Sequence, residues 1–232
     1  MLRKKAEKIL EILQGRFPKP KWTAATRDAF RTLIMTIISQ NTNERNTTRA
    51  FENLSNKFRI TPEILAKAEI KEIEKSLKTA GLYRNKSRTI KQISKIIREK
   101  HNGDLTHITS LPLEQARREL LKLPGVGPKT ADVVLLFAAK KPTIPVDTHV
   151  NRVSKRLGLA PNSGNYEDIR RTLQKLFNPE DYLAVHILLI QHGRKYCKAR
   201  TPLCLECPLN NLCPSRSRSG KEMSDAKISF SS

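Results

Sequence analysis

A lysine follows two glycines in the segment LPGVGPKTAD, residues 123–132. Pro128 suits the first position of a helix, which places Lys129 in the first turn of that helix. Gly125 and Gly127 let backbone N–H groups approach an anion at the helix N-terminus, as in phosphate binding without sequence readout. The helix dipole disfavours a cation there by about 0.3 to 1 kcal/mol. Lys129 is therefore either an indifferent surface residue or an amine that must lose its proton easily.

All four cysteines of the chain lie within 17 residues, with the spacing C-x6-C-x2-C-x5-C. They are Cys197, Cys204, Cys207 and Cys213. Unrelated structural thiols would be scattered, so this confinement indicates a metal or cluster site. Zinc usually takes two C-x2-C-like pairs, whereas here there is one. Prolines follow two of the cysteines, and such steps recur around four-iron four-sulfur clusters, so we favour a 4Fe-4S cluster and keep zinc as the alternative.

Two basic residues lie in the first loop of this cysteine segment. Lys198 and Arg200 are among the six residues between Cys197 and Cys204. Folding that loop around a metal centre would present both charges as one rigid unit. Such a unit is suited to holding a phosphate backbone, so both residues are candidate DNA contacts.

The chain is strongly basic and long enough for one large domain or two small ones. Its 232 residues include 44 Lys plus Arg against 22 Asp plus Glu, a formal net charge of +22. No run of about 18 apolar residues and no lipidation motif is present, which favours nucleic acid over a membrane as the partner. The amphipathic N-terminal segment is not a secretory signal, so we expect a reducing compartment.

Nearly every segment has helical periodicity, and no convincing alternating strand is present, which predicts an all-α protein. The segment KKPTIPVD, 140–147, holds two prolines and is expected to be extended, marking a crossing between lobes. The tail, 215–232, is small and polar and is expected to be disordered. The predicted helices are 2–15, 25–39, 44–57, 61–68, 70–79, 84–100, 112–122, 128–140, 148–157, 166–177 and 180–194.

Taken in order, the glycine hairpin, Lys129, VDTHVNRV at 146–153 and the cysteine spacing resemble the endonuclease III family. These are DNA glycosylases and AP lyases of the helix-hairpin-helix superfamily. The resemblance implies a two-lobed fold: a six-helix barrel at 23–141, and a helical iron-sulfur domain formed by 1–22 and 142–214. Double-stranded DNA with damaged bases or abasic sites would lie across the cleft between them.

The same resemblance assigns roles to single residues. Lys129 would be the nucleophile and Asp147 the catalytic carboxylate, although an Asp before THVNRV is also a good helix N-cap. Gln40 and Leu82 occupy positions where family members insert side chains into the duplex. Asn43 departs from the family pattern, because many relatives carry an acid there.

The histidines and the tryptophan are given lesser roles. His149 follows Asp147 in a family-like DTH segment. It is expected to support the catalytic residues without contacting the substrate itself. His186 and His192 lie in the apolar run YLAVHILLIQHGR, which favours buried core histidines over metal ligands. Trp22 is most simply a packing residue.

The leading function that the resemblance implies is a bifunctional glycosylase and AP lyase acting on oxidised pyrimidines. One alternative is a monofunctional glycosylase of the same superfamily, acting on mismatched adenine, thymine or uracil, members of which commonly lack the lysine. Another is a non-catalytic DNA-binding iron-sulfur protein. We expect a monomer associated with the nucleoid in the cytoplasm of a prokaryotic cell.

Overall fold

The computed structural model describes residues 1–18 and 28–216. Within these ranges the chain forms twelve α-helices and no strand, so the predicted all-α class is confirmed. Trp22, the first three residues of the helix predicted at 25–39, and residues 217–232 of the predicted tail lie outside the described residues. The first two residues of that tail are held by hydrogen bonds: Ser215 Oγ donates to Arg156 O at 2.9 Å, and Arg216 Nη1 to Asn211 Oδ1 at 3.3 Å.

The chain divides into two compact units, whose described residues are 28–142 in one and 1–18 with 143–216 in the other. The helices of the first are α2 (Ala29–Ser39), α3 (Glu44–Lys57), α4 (Pro62–Lys67), α5 (Ile70–Leu77), α6 (Tyr83–Lys100), α7 (Thr106–Thr109), α8 (Leu113–Leu121) and α9 (Pro128–Phe137). Those of the second are α1 (Leu2–Arg16), α10 (Thr148–Arg156), α11 (Tyr166–Leu176) and α12 (Tyr182–Lys195).

Side-chain caps fix where several of these helices begin. Asn43 Oδ1 accepts from Asn46 N at 2.9 Å and so caps α3. Asparagine caps a helix about as well as aspartate, so the departure from an acid at Asn43 leaves the start of α3 intact. Asn165 caps α11 in a capping box with Asp168. These polar groups satisfy N–H groups that have no partner inside their own helix.

The 28–142 unit has an apolar core. α2 packs on α9, and α4 packs along α6. Helical spacing brings Leu33, Ile34 and Ile37 of α2 to this core, together with Ile90 and Ile93 of α6, all of them at most 1% exposed. Burying apolar side chains contributes about 1.5 to 3 kcal/mol each, which gives the short helices of this unit a rigid support.

The other unit is built on α10 and α12. α1 packs against α11 and α12, and α10 packs against α12. Gly193 of α12 permits close contact, because a Cβ there would lie 3.0 Å from His149 Nδ1 and 3.1 Å from Val153 Cγ2 of α10. The start of α10, where Asp147 lies, is thereby fixed against α12.

Two helices end two or more residues earlier than the periodicity predicts. The helix predicted at 70–79 becomes a 3-10 turn at Lys78–Ala80. The helix predicted at 128–140 ends at Phe137, because Lys140 takes a left-handed backbone (φ 52°) and Lys141 N donates to Leu135 O at 2.9 Å. Residues 141–147 contain no helix, in agreement with a crossing segment. None of the helices in 1–18 and 28–216 has the length and apolar character needed to cross a membrane.

Candidate functional site

The turn between α8 and α9 requires glycine and proline at the positions found. Gly125 has φ 70°, and a Cβ on it would lie 2.7 Å from Thr89 Cγ2 of α6. Gly127 is the N-cap of α9, and Pro128 is its first residue, as predicted. Both glycines are exposed. The turn therefore presents backbone N–H groups to solvent at a helix N-terminus, which suits a phosphate.

A buried ion pair joins the two helices of this hairpin. Arg117 Nε of α8 donates to Asp132 Oδ1 of α9 at 3.0 Å, and Nη2 lies 3.4 Å from Oδ2. The side chains are 9% and 0% exposed. Such a bidentate pair fixes geometry as well as charge. Lys129 lies one turn before Asp132, so the pair fixes the helix that carries the candidate nucleophile.

Lys129 is half-buried in the first turn of α9, and Gln40 lies next to the same hairpin. Gln40 Nε2 donates to Gly125 O at 3.0 Å and to Thr130 Oγ1 at 3.3 Å. The structure thus brings Gln40 to the hairpin segment that carries Gly125 and Lys129, although Gln40 was predicted from a separate motif.

Leu82 is an exposed apolar residue in a constrained turn. It is 60% exposed and is left-handed (φ 47°), directly before α6. Asn41, next to Gln40, is also left-handed (φ 52°). Residues with a Cβ adopt this region at a cost of about 1 to 2 kcal/mol, although asparagine visits it more readily, so the turn at Leu82 in particular is held by its surroundings.

Asp147 belongs to the other unit, where it caps α10. Its Oδ1 accepts from Val150 N at 2.7 Å, and the residue is half-buried. Within the described residues Oδ2 has no hydrogen-bond partner in the structure. One carboxylate oxygen is thus committed to the helix, and the other remains for a ligand.

His149 supports the start of α10 as a neutral side chain. Burial lowers the pKa of its imidazole, as do Arg152 and Arg194, while the Asp147 carboxylate acts in the opposite direction. Arg152 Nη2 lies 3.1 Å from His149 Nδ1. A backbone hydrogen bond to Gly193 also raises the pKa of His149.

The four cysteine thiols line one cavity of about 150 Å³. All four are free and half-buried. Within 1–18 and 28–216, no group of three or more His, Cys, Asp or Glu side chains converges as single-ion ligands do. The thiols surround a space instead, which fits a cluster of several atoms held by four thiolates. Burial raises the pKa of Cys207 and Cys213, and bound iron would offset this by favouring the thiolates.

Arg152 and Arg156, one turn apart on α10, support the cysteine loop and were not found from the sequence. Arg152 Nε donates to Cys197 O at 3.0 Å. Arg156 donates to Lys198 O at 2.7 Å and lies 3.5 Å from Cys197 Sγ. Their spacing is visible in the sequence, but nothing there indicates partners more than forty residues away. The loop they hold leaves Lys198 and Arg200 exposed.

The two histidines of α12 are buried. His186 Nδ1 lies 2.9 Å from Pro145 O, and that residue is 4% exposed. His192 is 1% exposed, and its Nε2 lies 3.6 Å from Cys207 Sγ. Burial lowers the pKa of His192 to about 4, so it is neutral at physiological pH. His192 lines the cysteine cavity, a location the sequence did not predict.

Comparison with known proteins gives a consistent result. Residues 34–179 match the family model described as HhH-GPD superfamily base excision DNA repair protein, and residues 197–213 match the iron-sulfur binding domain of endonuclease III. Endonuclease III of Thermotoga maritima is 38% identical over 93% of this chain and 95% of its own, and that of Bacillus subtilis 36% identical over 90% and 92%. A solved structure of a trapped endonuclease III–DNA covalent intermediate is 34% identical, with a TM-score of 0.82, over 94% of this chain and 98% of that one.

Proposed function

This chain belongs to the endonuclease III family of base excision DNA repair proteins, and from that premise we propose that Lys129 is its nucleophile and Asp147 the assisting carboxylate. The family assignment makes it a bifunctional DNA glycosylase and AP lyase. Its substrates would be oxidised pyrimidines and abasic sites in double-stranded DNA. The observation that carries the proposal is the position of Lys129 in the first turn of α9, directly after a turn whose two glycines are exposed at the N-terminus of that helix.

The chemistry requires an amine. A damaged nucleotide is flipped out of the stack at a cost of a few kcal/mol. The neutral amine of Lys129 attacks C1′, the glycosidic C–N bond breaks, and the base departs with a proton from the nitrogen. The C1′–O4′ bond of the sugar then opens, O4′ takes up a proton, and C1′ forms a protonated imine with the lysine nitrogen. The resulting imine acidifies the C2′ proton, and its removal expels the 3′ phosphate by β-elimination. Hydrolysis of the imine then releases the lysine. A water nucleophile would form no imine and would not promote strand cleavage.

Asp147 would stabilise the positive charge that grows on the sugar. Because Oδ1 accepts from Val150 N, Oδ2 is the oxygen we assign to the sugar. A fixed carboxylate aimed at developing charge stabilises a transition state without reorganisation.

The DNA contacts are proposed from position and chemistry. Gly125 and Gly127 would hold a phosphate, and Lys198 with Arg200 would contact the backbone from the cysteine loop. Leu82 would wedge the strand opposite the flipped nucleotide. Gln40 would fill the gap, after exchanging its bonds to Gly125 O and Thr130 for bonds to DNA.

The four cysteines would hold the 4Fe-4S cluster, in the loop that Arg152 and Arg156 of α10 support. Purified protein should be yellow-brown and contain about four irons per chain. We expect Cys207→Ser to lose the colour and most of the iron, because three thiolates remain. The iron content per chain, measured by inductively coupled plasma mass spectrometry, checks this loss. A colourless wild type containing zinc would contradict it, and Ser215→Ala, which leaves all four thiols in place, is the matched control.

Trapping with borohydride tests the function. Wild-type protein incubated with an abasic duplex and borohydride should give a covalent protein–DNA adduct, because borohydride reduces the imine to a stable amine. Peptide mapping should place the adduct on Lys129. A monofunctional glycosylase would excise a base without giving an adduct, and a non-catalytic binding protein would do neither. A panel of duplexes with oxidised pyrimidines, mismatched adenine and mismatched uracil would identify the base removed.

Three further proposals concern the oligomeric state, the location and the domains. We propose that the enzyme acts as a monomer, since one chain carries both the lysine and the cluster. The net charge of +22 favours association with DNA in the nucleoid of a prokaryotic cell. The unit containing 28–142 would correspond to the six-helix barrel domain and the other unit to the iron-sulfur domain.

A further inference from the structure

Lys86 is a buried lysine in the first turn of α6, in the unit that carries the hairpin. It is 5% exposed, and its ammonium group donates to Ile38 O at 2.7 Å, to Ala80 O at 2.6 Å and to Thr42 Oγ1 at 3.4 Å. An ammonium has three N–H donors and no acceptor, so three oxygens satisfy it completely. A buried charge without such partners would be strongly unfavourable. The arrangement is therefore a built site for one ammonium group.

The oxygens around Lys86 are ones that need a donor. Ile38 lies in the last turn of α2, and Ala80 ends the 3-10 turn. Carbonyl groups at such helix ends lack partners within the helix and favour a cation. Burial lowers the pKa of Lys86, but a deprotonated amine would turn a lone pair towards one of the three oxygens. The oxygen shell thus fits the charged form.

These bonds join two separate loops. One loop follows α2 and contains Gln40, Asn41 and Thr42, and the other runs from Ala80 to Leu82. Thr42 Oγ1 also donates to Ala80 O, so the loops are bonded directly as well as through Lys86. Asn41 and Leu82 both have left-handed backbones. Residues other than glycine persist in that conformation only where the surrounding structure fixes it.

We infer that Lys86 is a positioning residue that sets the spacing of these two loops, so that Gln40 and Leu82 enter the duplex as a pair. This inference rests on the proposed function, which assigns the gap to Gln40 and the opposite strand to Leu82. Lys86 itself touches no DNA, because its ammonium group is enclosed by protein oxygens. Without it, Ile38 O and Ala80 O lose their shared donor, and the left-handed turns lose their support.

The test compares two substrates of the same enzyme. Lys86→Met keeps the apolar stem and removes the donors. We expect single-turnover excision of an oxidised pyrimidine paired in a duplex to fall by about 10- to 100-fold, since misplacement by about 1 Å can cost that much. β-elimination at an abasic site in a single-stranded oligonucleotide should stay within about twofold, because no stack has to be opened there.

Lys91→Met is the matched control. Lys91 is also a lysine of α6 that donates to a carbonyl group, that of Ala68, but it contacts neither loop. It should leave both activities within about twofold of the wild type, as expected for a site away from the reaction. Should Lys86→Met fail to fold, Thr42→Val carries the test. It removes one bridging hydroxyl and should lower duplex excision by about fivefold, the value of one hydrogen bond.

A double variant with Leu82 distinguishes a positioning role of Lys86 from a general loss of structure. If Lys86 acts through the wedge, Lys86→Met should cost much less excision activity in a Leu82→Ala background than in the wild type. Fluorescence of 2-aminopurine placed opposite the lesion should also rise less on binding Lys86→Met, because the opposite strand is less disturbed. Equal losses on the duplex and single-stranded substrates, additive losses in the double variant, or no loss at all would each overturn the inference. A wild type without excision or elimination would overturn the proposed function, and this inference with it.

Discussion

Lys129→Gln should abolish strand cleavage at abasic sites and leave no adduct after borohydride treatment. The amide has no lone pair available for attack on C1′, so the imine cannot form. We expect single-turnover excision and elimination to fall by at least about 1,000-fold, as when the nucleophile of a covalent mechanism is removed. Quench-flow experiments on a duplex with an oxidised pyrimidine measure both rates. The borohydride trapping assay is carried out on the same variant.

Binding must be separated from chemistry in that experiment. Affinity for a duplex carrying a stable abasic analogue should change little, because Lys129 is only one of many positive charges that contact the DNA. Lys95→Gln is the matched control, because it removes the same charge from an exposed position on α6 of the same unit. An adduct of normal yield on Lys129→Gln would refute the assignment of the nucleophile.

Asp147→Asn should separate the two roles of that carboxylate. Asparagine can still accept from Val150 N, so the cap on α10 is retained. It cannot stabilise a growing positive charge or accept a proton, and we expect excision to fall by about 100- to 10,000-fold. Thermal unfolding should be nearly unchanged. Single-turnover kinetics and differential scanning calorimetry on one preparation measure both properties.

Alanine at the same position should add a stability defect. Asp147→Ala removes the cap as well and should lower the free energy of unfolding by about 0.5 to 2 kcal/mol. Asn165→Ala is the control for this effect, because it removes the cap of α11 in the same unit while leaving Asp147 in place. It should lose similar stability and keep its activity. If the Asp147→Asn variant were as active as the wild type, Asp147 would have no catalytic role and would serve only as the N-cap of α10.

Much of this protein could be predicted from the sequence because the relevant signals are local. Helical periodicity gave most helices of the described part to within two residues. The glycine and proline pattern at 123–128 placed Lys129 in the first turn of α9, because turn geometry depends on neighbouring residues. The confinement of the cysteines indicated one metal site, and the comparisons bear out the cluster.

Tertiary structure decided what depends on residues distant in the chain. Gln40 donates a hydrogen bond to Gly125 O, Arg156 to Lys198 O, and Lys86 to Ile38 O. The residues in each pair are between 40 and 90 positions apart in the sequence. A lysine at 86 in a helical pattern is expected to be solvated, and only the fold shows it enclosed by carbonyl groups. Leu82 and Asn41 have left-handed backbones although neither is a glycine, and their loops are joined by long-range hydrogen bonds of Lys86 and Thr42. Local preference thus determined where the elements begin and which groups could react, whereas burial and long-range hydrogen bonds determined how those groups are held.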